Sequence, residues 1–338
     1  MFKQPMMLPR LRKLWHPERF QGSKTSRHYF EGWYYKLVDA REQHRLAVIP
    51  GISLGESEEQ SHAFIQVFDG TTGDFTYVTY AAVDFSAARD AFEVSIADSL
   101  FSAREMALDI DREDRRITGT LRFDSLVSLP RRFFSPGIMG WYTFVPFMEC
   151  KHGVVSMNHR INGSLNVDGE TISFQDGRGY IEKDYGHSFP EAYIWMQSNH
   201  FEEATSFMLS VARIPWLWTA FTGFLGALWH DGRIIRFATY TGARISRFST
   251  APGRVSLSIV DNRYRLDVEA RGDDAVSLKS PRQGGMTGRI QETLTGTVHL
   301  RLFERGGNGD HLVFEGVGRN AGVEIMDDDG VLSEDLAE

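Results

Sequence analysis

The chain of 338 residues has the length of about two domains. Hydrophobic residues make up 42% and charged residues 24%, which excludes a largely disordered chain. The formal net charge of −8 argues against a nucleic-acid partner, and the single Cys150 excludes an internal disulfide and a cysteine-built metal site.

The two ends of the chain carry opposite charge. Residues 1–27 hold seven Lys and Arg residues against one Glu, and residues 327–338 hold six acidic residues and no basic one. We interpret 1–22 as a basic arm and 327–338 as an acidic tail, both solvated. A contact of the basic segment 1–27 with an anionic membrane surface is the alternative.

Short segments rich in β-branched and aromatic residues predict strands along the first half of the chain. These segments are 28–38, 63–68, 75–80, 92–97 and 117–123. Asp-Gly pairs such as 69–70, 168–169 and 231–232 indicate hairpin turns, because type I′ turns need positive φ. The best helical candidates are short: the N-terminal arm and 56–62.

Two segments do not fit this pattern of short strands. Residues 127–150 form a long connection with three prolines, which predicts a lid over an apolar cavity. Residues 214–229 form an uncharged run of 16 residues, shorter than the ~18 that a membrane span needs. We interpret this run as a loop entering a strand that lines a pocket or docks on lipid. Without a signal-peptide pattern, we expect a cytoplasmic protein that is at most peripheral to a membrane.

The two halves of the chain repeat each other at a nearly constant offset. The matches are Trp33 with Trp195, Asp69 with Asp231, Ile96 with Ile259, and 117–121 with 294–298, at offsets of 162, 162, 163 and 177. They predict an internal duplication with a 14-residue insertion within 270–293. The predicted fold class is all-β, with two tandem calycin-like antiparallel barrels at 23–165 and 166–326, each with room for one ligand.

The strand over 29–37 carries a carboxyl among aromatic rings. Tyr29, Glu31, Trp33 and Tyr35 share one face by alternation, and this face looks the more buried. A desolvated carboxyl has a raised pKa and can donate a proton near neutral pH. The alternative is that Glu31 pairs with an arginine or caps a turn.

A second concentration of ionisable groups lies at 180–190. Tyr180, Glu182 and Asp184 share one face of a strand, and Tyr185 and His187 accompany them. On the following strand, aromatic and amide side chains project together: Tyr193, Trp195, Gln197, Asn199 and Phe201. Amides between aromatic rings suit an apolar ligand with a few oxygens. The alternative is a buried amide pair that satisfies backbone groups.

Familiar catalytic and metal motifs are weak in this sequence. The histidines show no metal-ligand spacing, so we expect no metal. Gly51-Ile-Ser53-Leu-Gly55 has the form of a nucleophile elbow but lacks the alternating strand and helix pattern around it. We interpret it as a glycine-rich turn.

Segments 29–36, 182–190 and 195–201 resemble, in combination and order, the tocopherol cyclase family, and 321–325 resembles its closing strand. The resemblance covers about residues 23–326. It implies two lipocalin-like halves, a relation to carotenoid hydratases, and closure of a chromanol ring on a prenylated quinol without a cofactor. His187-Ser188 departs from the family pattern, which is glycine-rich at that point.

From the residues and the resemblance together, we expect Asp184 or Glu31 to donate the proton, with Glu182 and His187 as second choices. Gln197 and Asn199 would orient the oxygenated ring. The residues expected to line the hydrophobic tract are Trp33, Tyr35, Trp141, Tyr185, Tyr193 and Trp195. A related isoprenoid hydratase, or a non-catalytic carrier of an isoprenoid or lipid, remains the alternative.

Overall fold

The computed structural model describes residues 13–23, 25–113, 115–307 and 309–337. The first antiparallel sheet contains β1 (Tyr29–Val38), β2 (Arg45–Leu54), β3 (His62–Asp69), β4 (Phe75–Ala81), β5 (Phe85–Ala87), β6 (Glu93–Ile96), β7 (Ser99–Ser102), β8 (Glu105–Arg112), β9 (Arg115–Asp124), β10 (Cys150–Val167), β11 (Glu170–Ser173) and β12 (Gly177–Gly186). Most of the predicted basic arm, residues 1–12, lies outside the described residues.

The second antiparallel sheet contains β13 (Tyr193–Ser198), β14 (Thr205–Trp216), β15 (Thr219–His230), β16 (Arg233–Ala238), β17 (Arg244–Ala251), β18 (Arg254–Val260), β19 (Tyr264–Arg271), β20 (Val276–Arg282), β21 (Gly285–Glu304) and β22 (His311–Met326). Short 3-10 helices span Ala82–Asp84, Gly140–Phe144 and Thr239–Thr241, and the helix α1 spans Val331–Ala337. Among the described residues, no helix combines the length and the hydropathy needed to cross a bilayer.

Both sheets follow the same path. The first runs β4-β3-β2-β1-β12-β10-β9-β8-β7-β6-β5, with β11 on β10, and the second runs β16-β15-β14-β13-β22-β21-β19-β18-β17, with β20 on β21. In each, a four-strand meander opens the unit and its first strand pairs with the last strand of that unit. The predicted fold class, two tandem lipocalin-like antiparallel β units, is confirmed.

Each sheet curls around a core of its own, and a third core lies between the sheets. The first core contains Trp33 and Tyr35, and the second contains Ile194 and Phe207. The third core contains Tyr34 of β1 together with residues of both sheets and of the 127–150 connection. Because β1 faces the first core on one side and the second sheet on the other, it is buried along almost its whole length.

The predicted domain boundary at 165 falls inside β10, and the sheets divide instead between Gly186 and Tyr193. The first unit extends this far because β12 pairs with both β1 and β10. The match of 117–121 with 294–298 is also not reflected in the topology. Residues 117–121 lie in β9, which is the third strand after β1 in the first sheet. Residues 294–298 lie in β21, which is the second strand after β13 in the second sheet.

Three local expectations are corrected by the structure. The run 214–229 forms most of the β14–β15 hairpin, because its residues pair across a two-residue turn. The acidic tail forms α1, whose Leu332 packs on the second core. Ser53 lies within β2 and donates to the Gly284 carbonyl oxygen at 2.7 Å, so it is neither an elbow nor a turn residue.

Candidate functional site

A cavity of about 1200 Å³, counted with its open mouth, lies between the two sheets. Its wall is mostly apolar and includes Phe30, Phe64, Trp195, Leu225, Leu278 and Ile290. The 127–150 connection contributes Met139 and Met148 to this wall. A mostly apolar wall with polar groups at a few places suits a largely apolar molecule that carries some oxygens.

The polar groups of the first sheet reach the cavity through strand register. Gly32 of β1 pairs with Asp184 of β12, and Tyr34 pairs with Glu182, so these side chains share one face. On the other side of β12, His152 of β10 pairs with Asp184. The predicted common face of Tyr180, Glu182 and Asp184 is therefore present, and its two carboxyls line the cavity.

His152 lies between these two carboxyls. Its Nδ1 is 2.7 Å from Asp184 Oδ1, and its Nε2 is 3.1 Å from Glu182 Oε2. Burial alone would lower the pKa of His152, but the two carboxylates outweigh it and raise the pKa well above its usual range. Tyr180 and Trp195 also donate to Glu182 Oε2, at 2.5 and 3.2 Å. Oε2 of Glu182 is thus fixed by two hydrogen-bond donors and by the nearby His152 ring.

The second sheet contributes a pair of carboxyls, Glu292 of β21 and Glu324 of β22, which are register partners. The Tyr34 hydroxyl donates to Glu292 Oε1 at 2.5 Å, and the Tyr193 hydroxyl donates to Glu324 Oε2 at 2.6 Å. Within the described part of the chain, Glu292 Oε2 has no hydrogen-bond partner. Both carboxyls line the cavity.

Burial raises the pKa of Glu292 to about 8, and the charge of Glu182 adds to this effect against the Tyr34 hydrogen bond and the Lys36 ammonium. Burial and the neighbouring Glu292 likewise raise the pKa of Glu324 well above its usual range. A carboxyl with a pKa of about 8 holds its proton at neutral pH. The cavity therefore contains a carboxylic acid that can donate a proton to a bound molecule.

Lys36 supports this site from the same face of β1. It is fully buried, and its Nζ donates to the carbonyl oxygens of Asn320 at 2.8 Å and Gln197 at 3.4 Å. Burial lowers the pKa of Lys36 to about 7, against the charges of Glu292 and Glu182. Lys36 of the first sheet is thus hydrogen-bonded to the second sheet, and its positive charge lowers the pKa of Glu292.

The cluster of His152, Glu182 and Asp184 is also the place where the described residues could hold a metal ion. One potential ligand atom from each lies within 4.8 Å of the others. Both ring nitrogens of His152 already face carboxylate oxygens, however, so a bound metal would have to displace at least one of these contacts. The donor set fits an imidazolium held by two carboxylates better than a metal centre.

Four of the predicted site residues line the cavity: Asp184, Glu182, Tyr193 and Trp195. Glu31 does not, because it projects from the opposite face of β1. It forms a fully buried ion pair with Lys183 at 2.5 Å and accepts the backbone N–H groups of Gln21 and Gly22. The structure therefore favours the alternative of a paired carboxylate, with lysine in place of the expected arginine.

The aromatic residues predicted beside Glu31 share its face. Trp33 and Tyr35 belong to the core of the first sheet, and Tyr185 contacts the Lys183 ammonium with its ring, at 4.7 Å. Trp141 lies in the 127–150 connection with 46% of its surface exposed. The face chosen from the sequence as the more buried was thus the inner face of a barrel, whereas Phe30, Gly32 and Tyr34 face the cavity.

The remaining predicted residues also lie outside the cavity wall. His187 is exposed, and its Nδ1 donates to the His28 carbonyl oxygen at 2.6 Å. Asn199 donates to the Gly179 carbonyl oxygen at 2.8 Å, as expected for a buried amide that satisfies the backbone. Gln197 is fully buried between the sheets, and neither of its amide atoms has a partner among the described residues.

Sequence reasoning missed His152, Tyr34, Glu292 and Glu324. Tyr34 follows from the alternation of β1 once the correct face is chosen, and Glu324 lies inside the closing-strand segment 321–325. Glu292 had no signal, because it lies in the interval 270–293 where the repeat loses its register. His152 becomes visible only through its pairing with Asp184.

The chain is similar in sequence to one protein family and to individual plant proteins. The family profile "Tocopherol cyclase-like" matches residues 130–326. "Probable tocopherol cyclase, chloroplastic" of Oryza sativa subsp. japonica is 24% identical over 197 residues, which are 55% of this chain and 41% of that protein. "Tocopherol cyclase, chloroplastic" of Zea mays is 23% identical over 195 residues, with the same coverage. The chain thus spans less than half the length of these curated relatives.

A solved structure of CghA with Sch210972 has a TM-score of 0.53 at 11% identity and covers 88% of each chain. That likeness extends over both sheets and concerns the fold alone. The family profile, by contrast, matches more than half of the sequence and includes β12, β21 and β22, which carry Glu182, Asp184, Glu292 and Glu324, as well as β10, which carries His152. The chain belongs to the tocopherol cyclase-like family.

Proposed function

We propose that the cavity between the sheets catalyses a proton-initiated ring closure of a prenylated quinol, or a related cyclisation or hydration of an isoprenoid. The observation that carries the proposal is Glu292, a buried carboxyl with a pKa of about 8 on the wall of an apolar cavity. An alkene is a weak base, so its protonation needs an acid placed in contact with it in a dry site. Membership of the tocopherol cyclase-like family supports the same reaction class.

The proton would come from the free oxygen of Glu292. This oxygen adds its proton to the less substituted carbon of the prenyl double bond nearest the quinol ring, and a tertiary cation forms on the other carbon of that double bond. The quinol hydroxyl oxygen then forms the C–O bond of the new ring and releases its proton to the Glu292 carboxylate. Substrate and product are isomers, so no oxidant, reductant or cofactor is needed.

The other polar groups have separate roles in this proposal. Asp184, fixed by His152 and partly open to the cavity, accepts the hydrogen bond of the quinol head group. Tyr34 donates to Glu292 and stabilises its carboxylate once the proton has left. The rings of Tyr34 and Trp195, 5.4 Å apart between centroids, lie where their π faces can stabilise a passing cation. Asp184, the donor expected from the sequence, thus becomes a binding group.

The test is incubation of the purified chain with prenylated benzoquinols, followed by chromatography for chromanols. In D₂O the chromanol should carry one carbon-bound deuterium, because the added proton comes from an exchangeable acid. Glu292→Gln should remove product formation, whereas Glu315→Gln, at a side chain 48% exposed, should not.

A folded wild-type chain that forms no chromanol from any such quinol would refute the cyclase. If the same chain then retained a copurified isoprenoid unchanged, the alternative of a non-catalytic carrier would be the better account. If water were added across the double bond instead, the mass would rise by one water and hydration would be the reaction.

A further inference from the structure

We propose that the tip of the β14–β15 hairpin is a membrane-docking surface that places the mouth of the cavity at a lipid bilayer. The tip consists of Trp216, Leu217 and Trp218, and Trp141 and Phe147 from the 127–150 connection lie against it. We call these five residues the aromatic tip. The occupant that we infer is a phospholipid surface with anionic head groups.

The exposure of the aromatic tip is the first observation. Trp218 is 96% exposed and Leu217 is 69% exposed, while Trp141 and Phe147 are about half exposed. The Trp216 ring lies 5.1 Å from that of Phe147 and 6.3 Å from that of Trp141, so the five residues form one patch. Contiguous exposed apolar groups mark interaction sites, and tryptophan is the residue enriched at the membrane–water interface.

The backbone of the turn is the second observation. Trp216 pairs with Thr219, so Leu217 and Trp218 form a two-residue turn, and Leu217 has a φ of +53°. Such positions favour Gly, Asn or Asp, because other side chains are strained there. The next hairpin of the same sheet has the usual residues at its turn, Asp231 and Gly232. The β14–β15 turn thus carries two large apolar side chains where local stability favours small or polar ones.

Charge is the third observation, and it distinguishes a lipid surface from other apolar partners. Residues 125–148 and 214–229 contain no acidic side chain, although the whole chain has a net charge of −8. The charged residues of 125–148 are Arg131 and Arg132. The five residues of the aromatic tip carry no charge, and Asp335 of α1, which accepts a hydrogen bond from Thr222 of the hairpin, is paired with Arg213 at 3.7 Å. The tip itself can therefore approach anionic head groups without repulsion.

Position relative to the cavity is the fourth observation. Ile214 and Pro215, at the end of β14 just before the tip, line the cavity, and so does Met148, which follows Phe147. A molecule leaving a bilayer at the tip would therefore meet the cavity wall within a few residues. This supply route rests on the proposed function, since it is useful only for a lipid-soluble substrate.

The experiment is sedimentation of the purified chain with vesicles of phosphatidylcholine, alone or mixed with phosphatidylglycerol. We expect binding that is stronger with phosphatidylglycerol. The double variant Leu217→Gly, Trp218→Ser should bind vesicles more weakly by about tenfold or more, because it removes two apolar side chains from the bilayer. Its melting temperature should be equal or higher, because Gly-Ser suits a turn of this type.

Val83→Ser is the matched control, since Val83 is 89% exposed and lies in the first unit. It should bind vesicles like the wild type. Absence of wild-type binding to both vesicles would overturn the proposal, and so would equal binding by the double variant. A change from dimer to monomer in the double variant would also overturn it, since the tip would then be a contact between copies. The vesicles contain no quinol, so failure here is distinguishable from failure of the proposed cyclase.

Discussion

Replacing Glu292 with glutamine should abolish catalysis and at the same time stabilise the fold at neutral pH. Glutamine has nearly the same size and keeps an acceptor for the Tyr34 hydroxyl, but it has no proton to give and cannot ionise. The substitution therefore separates the chemical role of Glu292 from its packing. Few substitutions of a buried polar residue are expected to stabilise, so the direction of the effect is informative.

The size of the effect follows from the pKa of about 8, against the ordinary pKa of 4.5 for an unperturbed glutamate. Below pH 4.5 the carboxyl is neutral in both states. Between pH 4.5 and 8 it is ionised in the unfolded chain and still protonated in the folded one, so the folded state binds more protons. Stability must then fall as pH rises, by about 1.4 kcal/mol per unit. At pH 7 the loss is about 3 kcal/mol, and Glu292→Gln should restore it.

Urea denaturation of the wild type and the variant from pH 5 to 8 measures this difference directly. The wild-type free energy of unfolding should fall more steeply with pH than that of Glu292→Gln, and Glu315→Gln should follow the wild type. Turnover of the wild type should fall about tenfold per unit above pH 8, and the variant should lose about 10² to 10⁴ in kcat. Equal pH slopes of stability in wild type and Glu292→Gln would refute the assignment of a neutral Glu292.

The remaining predictions concern buried charges and metals. Lys183→Met should destabilise the fold by about 3–5 kcal/mol in urea denaturation, because it leaves the Glu31 carboxylate buried without its cation; adding Glu31→Gln should recover most of the loss. His152→Ala should lower both stability and turnover, because Glu182 and Asp184 then face each other without the imidazolium, and added imidazole should restore part of the turnover. Treatment with a chelator should change neither the melting temperature nor the turnover, and elemental analysis should find no stoichiometric metal.

The sequence predicts the strands well because their signals are local. The segments 63–68 and 75–80 agree with β3 and β4 to within a residue. In both, a run of β-branched and aromatic residues lies next to residues that favour turns. The strand β2 was missed because Gly51 and Gly55 look like turn residues. In the structure Gly51 lies opposite Gly32 of β1, where an added Cβ would meet the Phe64 ring at 2.4 Å. Close packing, which is not local, explains that glycine.

The candidate site was only half predictable for a related reason. Alternation correctly groups Glu182 with Asp184, but it cannot tell which face of a strand meets a ligand when both faces are buried. Trp33 and Tyr35 fill the first barrel, whereas Tyr34 between them faces the cavity. The choice depends on where the second sheet lies, and that is a tertiary property. Glu292 was invisible for the same reason, because its partner Tyr34 is 258 residues away in the chain.

The position of the cavity follows from how the two barrels are filled. Among the described residues, aromatic and aliphatic side chains pack in the interior of each sheet, where the sequence predicted room for a ligand. The cavity between the two sheets provides space for a ligand instead. Polar groups of one sheet form hydrogen bonds with polar groups of the other. Tyr34 of the first unit donates to Glu292 of the second, and Trp195 of the second donates to Glu182 of the first. Glu182 and Glu324 also have donors in their own units, Tyr180 and Tyr193, but Glu292 depends on Tyr34 of the first unit. The proposed proton donor therefore needs both units to be held in place.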